Sequence, residues 1–251
     1  MTADLQIPAE TLTDEERAKY ADSGYEAAAP LTVGQSWADK NSILAYPIRI
    51  MANSSRAVDG KAPDGSPAIV LTLDNADFAD QLATHPNPRV QLEPPHTLLT
   101  VGGTFRETYR IWVPRGALVF SGPTWCVLTQ EQGPPYKGSP PYSLATRDGK
   151  TWGLTNDGTP EPPLKPWASD FALPIPTGRW VDWTWVAKYA TKGHLAVHCD
   201  GKRVFEAPFA TIDATNSSGL SFNALDVYAK RGSFSKLGPI YFQRHTITRI
   251  A

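Results

Sequence analysis

Between residues 180 and 205 the chain alternates and then doubles back. In Trp180-Val-Asp-Trp-Thr-Trp-Val-Ala-Lys-Tyr189 successive side chains fall on opposite faces of an extended strand. Val181, Trp183, Trp185, Ala187 and Tyr189 share one face; Trp180, Asp182, Thr184, Val186 and Lys188 share the other. Asp200-Gly201 then separates the apolar run 194–199 from 203–205, and a two-residue link of this kind selects a type I′ hairpin because both positions need positive φ. A strand face carrying two indoles requires a partner surface. It either fills the space between two sheets or offers stacking area to a sugar ring.

Strand-length apolar runs recur along the chain, at 43–51, 68–73, 97–99, 104–113, 125–130, 142–146, 221–229 and 239–250. The 23 prolines and 19 glycines fall largely between them, which favours short strands joined by turns over long helices. With 251 residues, of which 41% are hydrophobic, one large all-β unit is the simplest organisation, expected over 31–251. Residues 1–30 read as an arm with a short helix over about 14–22, because Thr13-Asp-Glu-Glu16 is a capping box. That arm is either a solvated helix or a segment that orders on a neighbouring subunit. The Pro-rich stretch 158–176 reads as a long loop across the sandwich.

The formal charge of −1 leaves no basic stripe to neutralise phosphates, so nucleic acid is excluded as the expected partner. Charge is unevenly spread: residues 1–26 hold seven acids and two bases, and the remainder is weakly positive. The N-terminus shows neither the basic nor the apolar region of a secretory signal, and no run is long enough to span a membrane. The expectation is a chain made in the cytoplasm, without membrane insertion. Cys126 and Cys199 are too few for a disulfide framework and read as buried thiols, with pairing left open. His85, His96, His194, His198 and His245 lack metal-ligand spacing and read as turn or surface residues, so no metal or other cofactor is expected. Glu93, Glu107, Glu131, Asp182 and Asp226 form no compact carboxylate motif of the kind glycoside hydrolysis needs and read as surface charges.

Near the C-terminus stands Tyr228-Ala-Lys230-Arg-Gly232-Ser-Phe234. It resembles the Y-x-K-x-G-x-Y signature of jelly-roll polysaccharide lyases of the heparin lyase, glucuronan lyase and alginate lyase type. Three other stretches resemble the same family in order and spacing: Arg89-Val-Gln-Leu-Glu93, TWCVLTQEQGPPYKGSPPYSL, and GRWVDWTWVAKYATKGHLAVHCDGKRVFEA. The resemblance covers about residues 85–250. It implies a concanavalin A-like antiparallel β-sandwich with a sugar-binding cleft.

Residue by residue, the resemblance implies that Gln130 would hydrogen-bond a uronate carboxylate, that Arg89 would bind the same group, and that Lys230 is the signature lysine. Gln91, Gln132, Tyr142 and Phe234 would complete the lining. Three positions depart from the family: Gln91 stands for an acid, Gln132 for the histidine base used in part of the family, and Phe234 for the proton-transferring tyrosine. β-Elimination from a uronate needs a base for the C5 proton and an acid for the leaving oxygen, and neither a carboxamide nor a benzene ring is either. The reading is therefore a non-catalytic carbohydrate-recognition or structural module. Its expected partner is a polysaccharide or cell-surface glycan, and it is expected in a bacteriophage tail, joined to other virion subunits by the arm. The alternative is an active lyase using Gln130, Lys230, Arg89 and Tyr228.

Overall fold

The computed structural model describes residues 49–51, 57–74, 87–93, 99–122, 124–132, 140–155, 169–212 and 220–251. The expected arm and its helix lie outside these residues, as does most of the run 43–51.

Among the described residues the structure is two sheets. The first orders β1 (Arg49–Met51), β4 (Arg89–Glu93), β14 (Leu220–Ala229), β7 (Cys126–Gln132), β8 (Ser143–Thr146), β9 (Thr151–Thr155) and β10 (Ser169–Pro174), with β5 (Leu99–Thr100) pairing on β14. The second orders β13 (Lys202–Phe209), β12 (Gly193–Cys199), β11 (Trp180–Lys188), β6 (Thr104–Trp112), β15 (Lys236–Arg249), β3 (Pro67–Asp74) and β2 (Ala57–Lys61). The ladders are antiparallel throughout. This is the all-β antiparallel jelly-roll sandwich that the sequence implies. No described helix is long and apolar enough to cross a membrane.

The hairpin at Asp200-Gly201 forms as read, with φ of 49° and 74°. The stretch 158–176 is not loop throughout: its end forms β10, whose Ser169 and Asp170 pair with Leu154 and Gly153. Proline is tolerated there because β10 is an edge strand, and Pro174 closes it.

The alternation of β11 resolves toward the interior. Trp183 and Trp185 are each 1% exposed and Tyr189 is 2% exposed, so the two-indole face is core and not a sugar platform. Trp152 from the first sheet meets Trp183 edge-to-face at 5.7 Å, and Tyr142 stacks on Trp185 at 5.6 Å. Such aromatic pairs across the sheets each contribute about 0.5–1.5 kcal/mol beyond the area they bury. Cys126 and Cys199 are both buried free thiols. Burial raises both, and takes the Cys199 thiol to about 11.

Polar groups also enter this interior. Glu107 of β6 and His245 of β15 are buried with Nε2 and Oε1 2.5 Å apart. Trp185 Nε1 donates to the Tyr109 hydroxyl at 2.5 Å, which lies 3.1 Å from Thr129 Oγ1 of the opposite sheet. The hydroxyls of Tyr142 and Tyr189 lie 2.5 Å apart, and burial holds the phenols of Tyr109, Tyr142 and Tyr189 well above the usual range. Glu107, Glu131 and Asp226 are thus buried and not surface charges, and His245 is not a surface histidine. Asp226, Glu107 and His245 are hydrogen-bonded by residues far away in sequence, which local pattern does not reveal. Arg244 supplies the local device for His245: its φ of 57° sits in the register shift between Gln243 and Thr246 and breaks the alternation of β15.

Candidate functional site

The first sheet has an inner and an outer face. Val90, Leu92, Leu225, Val227 and Ala229 belong to the core cluster, so alternation turns Arg89, Gln91, Asp226 and Tyr228 outward. Register places them side by side: Asp226 opposite Gln91, and Tyr228 opposite Arg89. Gln130 of β7 pairs with Ala224 on the other edge of β14. A polar row therefore runs across three adjacent strands.

The row is hydrogen-bonded internally. Gln130 Nε2 donates to Gln91 Oε1 at 3.2 Å and to Asp226 Oδ2. Arg89 Nη1 points to the same Gln91 oxygen at 3.4 Å. A carboxamide nitrogen has two hydrogens, and both of those on Gln130 go to acceptors of the protein itself. Gln91, Gln130 and Asp226 are 0–1% exposed, so this set is closed to water. A desolvated carboxylate persists in such a place only where donors compensate it.

At one end the row reaches the surface. The Arg89 guanidinium lies 4.4 Å from the centre of the Tyr228 ring, and Trp125 meets that ring edge-to-face at 4.7 Å. Arg89, Trp125 and Tyr228 are half-buried, and Lys230 is exposed. Beyond Tyr228 the strand ends in a turn in which Ser233 N–H donates to the Lys230 carbonyl at 3.4 Å. Gly232, third in that turn, has φ 71°, which explains the glycine of the motif: the position requires the left-handed region. Asn87 Oδ1 accepts from the Arg231 N–H at 3.1 Å and ties the turn to the segment before β4.

Of the sequence-derived candidates, the structure brings Arg89, Gln91 and Gln130 together, with Tyr228 and Lys230 at the open end. Gln132 ends β7 opposite Phe222. Phe234 and Tyr142 do not join the row. Phe234 is 4% exposed and belongs to the core cluster, because β14 ends at Ala229 and the turn through Gly232 re-aims the chain before 234. Tyr142 points inward against Trp185 and Tyr189. Asp226, read from sequence as surface charge, is central to the row; its place two residues before Tyr228 on one strand puts both on one face, which was the signal for it. Trp125 carried no sequence signal for this role. Among the described residues no histidine stands in this row: His194 and His198 are on β12 of the other sheet, and His245 is between the sheets.

Neither a protein-family model nor a curated protein matches the sequence. Solved structures do match the fold. An endo-β-1,4-glucuronan lyase from the fungus Trichoderma reesei aligns with a TM-score of 0.54 and 10% identity, over 78% of this chain and 88% of that one. The fold is that of the polysaccharide-lyase jelly rolls. Alginate lyase A1-II′, of polysaccharide lyase family 7, aligns with a TM-score of 0.54 and 12% identity, over 79% of this chain and 85% of that one. A variant of alginate lyase Aly36B, solved with an alginate trisaccharide, aligns with a TM-score of 0.51 and 14% identity, over 79% and 86%. The row from Gln130 to Tyr228 lies on β14 and its two neighbours, β4 and β7.

Proposed function

We propose that this chain recognises a glycan on a polysaccharide-lyase jelly roll without cleaving it. One observation carries the reading: Phe234, which the sequence resemblance aligns with the family's proton-transferring tyrosine, has no hydroxyl and lies in the core. The row that remains, Arg89, Gln91, Gln130 and Asp226, holds a guanidinium, two carboxamides and a carboxylate already bonded to one of them. A general base must reach the proton it abstracts, and Asp226 is closed off from solvent. What the open end offers is contact: Trp125 and Tyr228 present ring surface to a sugar's C–H face, and Lys230 an exposed donor.

The finer form of this reading is a bacteriophage tail component that touches host-surface glycans, as the sequence resemblance implies; a fixed copy number in purified particles is its expected result. The deciding experiment on chemistry is incubation with β-1,4-glucuronan and alginate while following the absorbance of unsaturated uronate ends. No signal is expected, alongside measurable binding on a glycan panel. Enzymatic release of such ends overturns the reading in favour of a lyase, for which Tyr228 is the one described phenol at the row.

A further inference from the structure

Loops from three places meet at one end of the sandwich, and they carry an excess of positive charge. The segment that follows β6 is tied to the chain after β14: Ser121 N–H donates to the Ser233 carbonyl at 2.8 Å, and Gly238 N–H to the Ala117 carbonyl at 2.9 Å. The turn between β8 and β9 closes on the same segment, since a Cβ at Gly149 would run into the Leu118 carbonyl oxygen. Arg115, Lys150 and Lys236 of these loops are exposed, and Arg231 is half-buried. None of these four meets a carboxylate among the described residues. Arg147 and Lys230, both exposed and with contacts of their own, lie in the same loops.

Two described carboxylates stand near these cations. Asp148 accepts from the N–H groups of Lys150 and Thr151 within its own turn, and Asp74 lies opposite Lys236 in the ladder without pairing with it. The end therefore suits an acidic partner. Each exposed ion pair formed there contributes only about 0.2–1 kcal/mol and is weakened by salt, so the partner must be held close by.

The chain itself carries such a partner: residues 1–26 hold seven acids and two bases. Residues 27–48 connect them to Arg49 of β1 and, when extended, reach up to about 70 Å, against about 46 Å for the 14 residues of β15. Every part of the sandwich surface is within that reach. A tether of this kind holds its end at a local concentration approaching roughly millimolar, well above that of a second copy in dilute solution.

We propose that the acidic N-terminal arm docks on the basic loop end of its own chain. The contact adjoins Trp125, whose carbonyl accepts from the Lys230 N–H at 3.1 Å, but it does not depend on what the open end of the row binds.

A carbodiimide condenses a lysine amine with a carboxylate in contact with it, taking up the water lost as the amide forms, and so reads this docking directly. Lys150 and Lys236 are the reporters; Lys188 and Lys192, exposed at and beyond the far end of β11, are the controls. The full chain is treated in dilute solution as an equal mixture of unlabelled and isotope-labelled protein, in low and in high salt, and the linked peptides are identified by mass spectrometry. Links from the reporters to residues 1–26 are expected within single copies, at least about threefold more often than from the controls, and to fall about threefold or more in high salt. Arg115→Gln combined with Arg231→Gln removes two cations and keeps both reporters, and is expected to lower the yield about threefold or more, with circular dichroism as the check on folding. Equal linking at reporters and controls, links mainly between copies, or no link to the arm overturns the proposal, as does an unchanged yield in the folded double variant. If that variant fails to fold, the reporter-to-control ratio and the salt response of the wild type decide.

Discussion

The guanidinium carbon of Arg89 sits 4.4 Å from the centre of the Tyr228 ring, directly across the β4–β14 ladder. The contact joins two residues that the sequence placed 139 positions apart and gives the open end of the row a rigid planar surface. Arg89→Ala removes the stacked cation and is expected to cost about 0.5–1 kcal/mol of stability, with weaker glycan binding. Tyr228→Phe keeps the ring and removes the phenol. If the chain binds without cutting, Tyr228→Phe leaves glycan affinity within about twofold of the wild type. Calorimetry on the two variants checks both outcomes.

Between the sheets, His245 and Glu107 form a second cross-strand relationship, with side chains 1% and 5% exposed. Removing one partner deprives the other of a buried hydrogen bond, which typically costs about 1–3 kcal/mol. His245→Ala and Glu107→Ala are each expected in that range by urea unfolding. The double variant is expected to cost clearly less than the two single losses added together, because both changes remove the same hydrogen bond.

Acid sensitivity follows from two turn carboxylates. At Asp200, burial pushes the pKa up, but the hydrogen bonds from Arg179 and the Asp182 N–H outweigh it and hold the group below 3.8. At Asp148, burial likewise opposes, and the N–H groups of Lys150 and Thr151 prevail. A carboxylate depressed by folding stabilises the fold above its unfolded pKa, and that contribution is lost as pH falls through the folded value. The urea midpoint is therefore expected to drop as pH falls below about 4, and Asp200→Asn and Asp148→Asn are each expected to flatten part of that drop. Asparagine suits the Asp200 test because it tolerates the positive φ of the turn.

How far the sequence carried depended on whether a feature was local. The period of two in β11 sorted its side chains correctly, and Asp200-Gly201 specified its hairpin, since both are set by neighbours in the chain. The row of Arg89, Gln91 and Gln130 was legible from family resemblance. The buried carboxylates were not, because their hydrogen-bond partners arrive from elsewhere: Gln130 reaches Asp226 across 96 positions, and His245 reaches Glu107 across 138. Bulges did the rest. The shift between Val127 and Thr129 of β7 against β8, and Arg244 in β15, each break the alternation on which a strand reading relies.

Phe234 gives the sharpest test of the site as described. If the chain were a lyase that lost a hydroxyl, Phe234→Tyr would restore the phenol and with it cleavage of an acidic glycan. The structure makes a different expectation. Phe234 is 4% exposed within the core cluster, so the new hydroxyl enters apolar surroundings, and a buried hydroxyl without a partner costs about 1–3 kcal/mol. Phe234→Tyr is expected to lower the urea midpoint, to leave glycan binding at the open end within about twofold, and to generate no unsaturated uronate ends. Phe234→Leu, which keeps the site apolar and adds no hydroxyl, separates the cost of the polar atom from that of altered packing. A Phe234→Tyr protein of undiminished stability that cleaves glucuronan or alginate would show that this ring faces the row and not the core.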